Sequence, residues 1–192
     1  MHTGDKAFTI LGIAGSLRRE SYNRALLGAA QRLAPPGVAV ELYERLGEIP
    51  PYSEDVRVGQ GEPEPVRDLK ARIAAADALL IATPEYNYGI PGVLKNAIDW
   101  VSRPPDTSPL RHKPVAIMGA STGAYGTVRA QLHLRQVFVF TESYVLGKPE
   151  VLVPRAAEKF DGADELTDPP TRDQIVRQLA ALVDWARRLG DG

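Results

Sequence analysis

Ser16, Arg18, Ser21 and Asn23 fall within GSLRRESYN, directly after the apolar run FTILGIA. Their side chains suit an oxyanion. Hydroxyls and an amide can donate to phosphate oxygens, and an arginine adds a charge-assisted hydrogen bond. If a strand ends near Ala14 and a helix starts near Tyr22, the cluster crowds a helix N-terminus. Free N–H groups and the positive end of the dipole suit an anion there. The glycine-rich spellings of nucleotide loops are absent: with only Gly12 and Gly15 here, neither G-x-G-x-x-G nor G-x-x-x-x-G-K-[ST] occurs. The plainer alternative is that Ser21 caps the helix while Arg18 and Arg19 are solvated. The position directly after a first strand favours the anion site.

Two further segments have the same strand-to-helix setting. TPEYNYGIPGVLKNAIDW opens at Thr83. Pro84 and Pro91 stiffen it, Gly89 and Gly92 give room, and Tyr86 and Tyr88 flank Asn87. Backbone amides and flat side chains on a rigid frame suit a planar heteroaromatic ring. The alternative is an ordinary turn whose tyrosines fill core. Glu85 has no carboxylate or histidine neighbour in sequence, which argues against acid/base work. The third segment, GASTGAYGTVRAQLH from Gly119, brings Ser121, Thr122 and Gly123, where backbone can approach a ligand closely. His133 lies well inside a helical pattern. His2 and His112 are far from it and from each other, so no metal spacing exists. No G-x-S-x-G occurs, so Ser16 lacks a hydrolase setting.

The elements that must position these segments follow from periodicity. Short apolar runs at Phe8–Ala14, Val38–Tyr43, 78–83, 115–120 and 150–154 read as strands. Several are almost continuously apolar, as strands covered on both faces are. Helical patterns cover 22–33, 65–75, 91–102, 126–140 and 172–189. Strand and helix alternate to the end, so the expectation is one α/β domain over residues 1–192 with a parallel sheet. GEIPPYSEDVRVGQGEPEP and SRPPDTSPLRHKP read as long surface loops. The loops after strands one, three and four then gather at the C-terminal edge of the sheet, where open α/β sheets bind ligands.

The helices also bear on assembly. On 91–102, Val93, Leu94, Ala97, Ile98, Trp100 and Val101 span roughly 160°, wider than packing on the home sheet needs. On 126–140 the apolar residues form two stripes: Val128, Leu132 and Val139, against Ala130, Leu134, Val137 and Phe138. One can cover the home sheet while the other needs a partner. A homo-oligomer is expected, the alternative being that residues 47–63 cover the second stripe within one chain.

Composition narrows the field. With 192 residues, 44% hydrophobic and 24% charged, the chain suits one soluble domain. A net charge of −1 gives no general attraction to nucleic acid or anionic membrane. The absence of cysteine removes disulfides, thiolate metal sites and cysteine nucleophiles. No apolar stretch approaches ~18 residues, and MHTGDKAFTILG is too polar for a signal peptide, so the expected location is cytoplasmic.

At these motifs the chain resembles the NAD(P)H-dependent FMN reductases of flavodoxin-like fold, above all their quinone-, chromate- and azo-reducing members. The resemblance covers nearly the whole chain. It rests on Gly15-Ser16-Leu17-Arg18 with Ser21 and Asn23. It rests also on Pro84-Glu85-Tyr86-Asn87, Pro91-Gly92 and Leu94-Lys95-Asn96-Ala97-Ile98-Asp99-Trp100, and more weakly on Gly119-Ala120-Ser121 and Gly123. It implies a five-stranded doubly wound sheet of order 2-1-3-4-5 with helices on both faces. It implies FMN held non-covalently: Ser16, Leu17, Arg18, Ser21 and Asn23 at the phosphate, Pro84, Glu85, Tyr86 and Asn87 along the isoalloxazine, and Ser121 and Gly123 approaching the ring. NADPH or NADH would be the co-substrate. Hydride would pass to flavin N5 and on to a quinone-like, azo or metal-oxyanion acceptor, in ping-pong order. A homodimer or homotetramer is implied too. No side chain need act as acid or base, so no catalytic residue and no metal ligand is named. An electron carrier acting with a protein partner and a cofactor-free nucleotide-binding domain are the alternatives.

Overall fold

The computed structural model describes residues 7–162 and 165–190. Strands β1 (Phe8–Ala14), β2 (Val38–Tyr43), β3 (Ala78–Ala82), β4 (Pro114–Ala120), β5 (Tyr144–Val145) and β6 (Val151–Val153) form one sheet. Helices α1 (Tyr22–Arg32), α2 (Glu54–Gly59), α3 (Glu64–Ala75), α4 (Gly92–Val101), α5 (Val128–Phe140) and α6 (Pro169–Gly190) surround it. All pairings are parallel and the order is β2-β1-β3-β4-β5, with β6 also on β4. This is the expected flavodoxin-like arrangement.

The sheet is two-faced because successive side chains alternate. On β1, Ile10 packs with α1 and α6, whereas Leu11 and Ile13 pack with α3, α4 and α5. On β3, Leu80 joins the first cluster and Leu79 and Ile81 the second. Every residue of β3 and β4 is buried, which is why those runs are apolar without alternation. Burying each such Leu or Ile contributes about 1.5–3 kcal/mol.

The fifth strand position differs from its expectation. The apolar run predicts a single strand at 150–154; β5 and β6 occupy that edge in succession. Tyr144 and Val145 pair with Pro114 and Val115, and Val151–Val153 pairs with Met118, Gly119 and Ala120. Gly147 and Pro149 interrupt the run, and proline offers no N–H to a ladder. Side chains satisfy the freed carbonyls: Arg135 donates to Leu146 and Gln178 to Pro149.

The segment expected to be one long loop after β2 contains α2. Ser53 caps it, its hydroxyl accepting from Val56 N–H, and Glu54 and Asp55 lie in its first turn. The same segment clamps α4. Pro50 carbonyl accepts from Asn96 Nδ2 (2.9 Å) and Trp100 Nε1 (2.8 Å), and Tyr52 N–H donates to Asn96 Oδ1 (2.7 Å). Tyr52 also packs edge-on against Trp100, at 5.0 Å between ring centroids. The wide apolar face of α4 is therefore buried within the chain. On α5 the two stripes separate in part, Val128 of one and Val137 of the other both being half-buried. Ala130, Leu134 and Phe138 are buried, whereas Leu132, Val139 and the adjoining Phe140 are 53%, 77% and 66% exposed. Among the described residues, no helix is long and apolar enough to cross a membrane.

Candidate functional site

The loops after β1, β3 and β4 meet at the C-terminal edge of the sheet. Two glycines permit it. A Cβ on Gly15 would lie 3.0 Å from Leu94 and 3.2 Å from Pro84, so the first loop packs directly on the second. A Cβ on Gly119 would lie 2.0 Å from Thr127 Oγ1 and 2.5 Å from Thr83 carbonyl, so β4 can pass under both neighbouring loops.

Side-chain hydrogen bonds lock the three together. Asn23 is buried, and its amide forms a reciprocal pair with Ala120: Nδ2 donates to the carbonyl and Oδ1 accepts from the N–H, both at 2.9 Å. Ser16 and Tyr86 hydroxyls are 3.3 Å apart, bridging first loop and second. Glu85 then ties the second loop to α5. Its carboxylate accepts from Arg129 N–H (2.9 Å), Ala130 N–H (3.2 Å) and the Arg129 guanidinium (2.7 and 2.5 Å). It thus caps α5, whose own Thr127 makes no side-chain cap.

Burial alone would raise the Glu85 carboxyl. The Arg129 guanidinium and the N–H groups of Ala130 and Arg129 outweigh it, and hold the group below the usual carboxylate range. Its side chain is only 8% exposed. Glu85 is thus committed as an anion and is not poised to exchange protons.

The second loop turns tightly at Tyr86–Gly89. Their backbones exchange two hydrogen bonds, and Asn87 and Tyr88 take positive φ, 49° and 65°, as a primed two-residue turn requires. The turn holds Tyr86, Asn87 and Tyr88 out in solvent. The Arg129 guanidinium lies 3.7 Å from the Tyr88 ring centroid and 4.9 Å from that of Tyr125, stacking on both.

These loops enclose a cleft of about 180 Å³ lined by Ser16, Arg18, Ser21, Asn23, Pro84, Glu85, Tyr86 and Ser121. Of the residues expected at the site, Leu17, Asn87 and Gly123 are not in its lining. Leu17 turns towards Gly47, Asn87 is at the turn tip, and Gly123 follows Thr122, which does line the cleft. Thr122, expected to let backbone approach a ligand, and Ala120 of the third motif also line it; Tyr22 was not anticipated, and only its place at a helix start could have marked it. Arg129 was missed because its partner Glu85 is 44 positions away.

The cleft has the donor chemistry of a phosphate site. Ser21 Oγ already accepts from Asn23 N–H (3.3 Å), leaving its own proton to donate. Ser16 Oγ accepts from Arg18 N–H in the same way (3.3 Å). Arg18 is held through one nitrogen, which donates to Glu20 carbonyl (2.7 Å), so the rest of its fork stays available. Asn23 contributes differently, as its side chain is engaged by Ala120. Among the described residues no cluster of His, Asp or Glu could hold a metal ion; His2 lies outside them.

Replacing Glu85 with alanine removes the cap and the ion pair together. Because the folded carboxyl is held below its unfolded value, its contribution is present above the ordinary carboxylate pKa and lost as pH falls through the folded value. Glu85→Ala is expected to lose about 1 kcal/mol at neutral pH, the scale of a helix cap. In urea titrations its gap from wild type should close on acidification. A gap unchanged into the acid range would show that the carboxylate does not stabilise α5.

The model of a family described as NADPH-dependent FMN reductase matches residues 8–158. The chain is 53% identical over 180 residues to an NAD(P)H-dependent FMN reductase of Pseudomonas aeruginosa, covering 94% of this chain and 96% of the relative. It is 40% identical over 181 residues to a quinone reductase of Escherichia coli, covering 94% and 96%. Among solved structures it is similar to the flavoenzyme NAD(P)H:(acceptor) oxidoreductase FerB of Paracoccus denitrificans, with a TM-score of 0.85 and 34% identity over 94% of this chain and 97% of that one. With sheet order, loop placement and cleft in agreement, the chain belongs to the NADPH-dependent FMN reductase family.

Proposed function

We propose that the protein holds FMN non-covalently in the cleft and passes electrons from NADPH or NADH to a quinone or similar small acceptor. The observation that carries this is the donor set: the Ser21 hydroxyl, whose proton no contact engages, and the Ser16 hydroxyl, shared with Tyr86, beside Arg18 at the start of α1. It suits a phosphate monoester. A pyrophosphate loop would use glycines for close backbone approach, and this one has none between Gly15 and Gly28. When bound, FMN supplies the redox chemistry, taking a hydride equivalent from the nicotinamide and delivering electrons to the acceptor. The chain's own residues bind and orient. Ser16, Ser21 and Arg18 fix the phosphate end. Pro84 and the Tyr86–Gly89 turn present a stiff edge to the ring. Glu85 holds that edge against α5. No general acid or base is needed, in keeping with the fixed ion pair of Glu85.

Two features support a homodimer or homotetramer. A cleft of about 180 Å³ is smaller than the roughly 300–1,000 Å³ typical of cofactor pockets, so a second chain's loops complete it. The exposed Leu132, Val139 and Phe140 give that chain an apolar face to cover.

FMN should bind more tightly than riboflavin, and Arg18→Ala should weaken FMN by about 1.5–3 kcal/mol, as for a hydrogen bond to a charged group. Equal affinities in a fluorescence titration would refute the phosphate assignment. Initial rates at several fixed quinone concentrations should give parallel double-reciprocal lines, since donor and acceptor use one open face in turn. Intersecting lines would mean that both bind together, and no NADPH oxidation at all would favour a carrier. Light scattering should report at least a dimer. A monomer mass with full activity would show that the α5 face needs no partner.

A further inference from the structure

A second cavity, of about 500 Å³ and larger than the cleft, adjoins it. It lies between α1 and the C-terminal end of β2, with the turn Leu46–Glu48 as its rim. Ser16 lines both spaces, so they adjoin across the first loop. Leu17 lines the larger cavity, its side chain leaning on Gly47, where a Cβ would lie 3.3 Å from Leu17 Cδ2.

Its walls combine apolar side chains with cationic heads. Leu27, Leu42 and Leu46 give the floor, and Gly28 leaves the α1 side open: a Cβ there would meet only Arg32 Nη1, at 3.4 Å. Arg19, Arg24 and Arg32 face it together with Glu44 and Glu48. Each carboxylate already has an arginine: Glu44 pairs with Arg24 (3.3 Å) and Glu48 with Arg45 (2.8 Å), while Arg32 pairs with Glu165 (2.7 Å). Arg19 forms no ion pair among the described residues and is the uncompensated cation of the cavity.

An apolar shelf for a planar base beside an unpaired guanidinium is a site for a phosphorylated nucleoside. Given FMN in the cleft, the nicotinamide must reach the same edge of the sheet, and the rest of the donor needs surface beyond it. We propose that this cavity receives the adenosine 2′-phosphate end of NADPH, with Arg19 on the phosphate, and so makes the enzyme prefer NADPH to NADH. This rests on the reading of the cleft as the flavin site.

Calorimetry on the FMN-loaded protein with 2′,5′-ADP and 5′-AMP tests it. Wild type should bind 2′,5′-ADP about tenfold or more tightly than 5′-AMP, the scale of one charge-assisted hydrogen bond. Arg19→Glu should abolish that difference and raise KM for NADPH about tenfold, leaving KM for NADH, quinone KM and flavin content unchanged. Gly28→Phe, which fills the shelf, should weaken both nucleotides and raise KM for both donors. Equal binding of the two nucleotides by wild type, or variants indistinguishable from wild type with flavin content intact, would overturn the assignment while leaving the flavin reading standing. A protein that takes up no flavin would overturn the cleft assignment, and this one with it.

Discussion

The amide of Asn23, buried where α1 meets the end of β4, exchanges two hydrogen bonds with the backbone of Ala120. The first and third loops belong to segments 97 positions apart, and this pair fixes their separation. Loss of the side chain would leave a buried N–H and a buried carbonyl without partners, at about 1–3 kcal/mol each. The rest of the site is arranged around this constraint. Ser16 and Ser21 line one cleft because the loop bearing them cannot drift from β4. Tyr86 closes from the second loop onto Ser16. Preorganisation of this kind removes the cost of ordering the loops when a ligand arrives.

A second tie, between Glu85 and α5, has electrostatic consequences. A carboxylate at a helix N-terminus is favourable for the same reason that a phosphate is. With Glu85 seated there, the start of α5 is occupied by an internal anion, whereas the start of α1 keeps a neutral hydroxyl cap and an available arginine. One helix N-terminus therefore serves the frame, and the other is left open to an anion. Arg129 links the frame to the rim, because the guanidinium that pairs with Glu85 also stacks on Tyr88. Left-handed backbone at Tyr88 costs roughly 1–2 kcal/mol for an L-residue, and that stacking offsets part of it.

Much of the fold was legible in the chain. The almost unbroken apolar runs at β3 and β4 mark strands covered on both faces, and their alternation with helical periods leaves few topologies. The two stripes on α5 separated in part, with Ala130, Leu134 and Phe138 buried and Leu132 and Val139 exposed, while Val128 and Val137 are half-buried. The reading failed where local composition and tertiary demand diverge. The segment 47–63, rich in Pro and Gly, looked like a loop, yet Ser53 and its acidic neighbours start α2, and Pro50 and Tyr52 cover Trp100. The fifth strand was read as one piece because Tyr144–Val145 is too short to show a period.

At the site, the chemistry-bearing residues and their grouping into three strand-to-helix loops were determined by the sequence. Residue type decides what can donate to phosphate, and strand–helix alternation decides which loops share an edge. Only the tertiary structure decided how those residues divide their roles. Asn23 and Glu85 look like ligand contacts in one dimension, but each has a backbone partner from a distant segment, and buried polar groups must be satisfied by whatever the fold brings near. Leu17 and Arg19 face a second cavity between α1 and the end of β2, a matter of element placement that no local motif encodes.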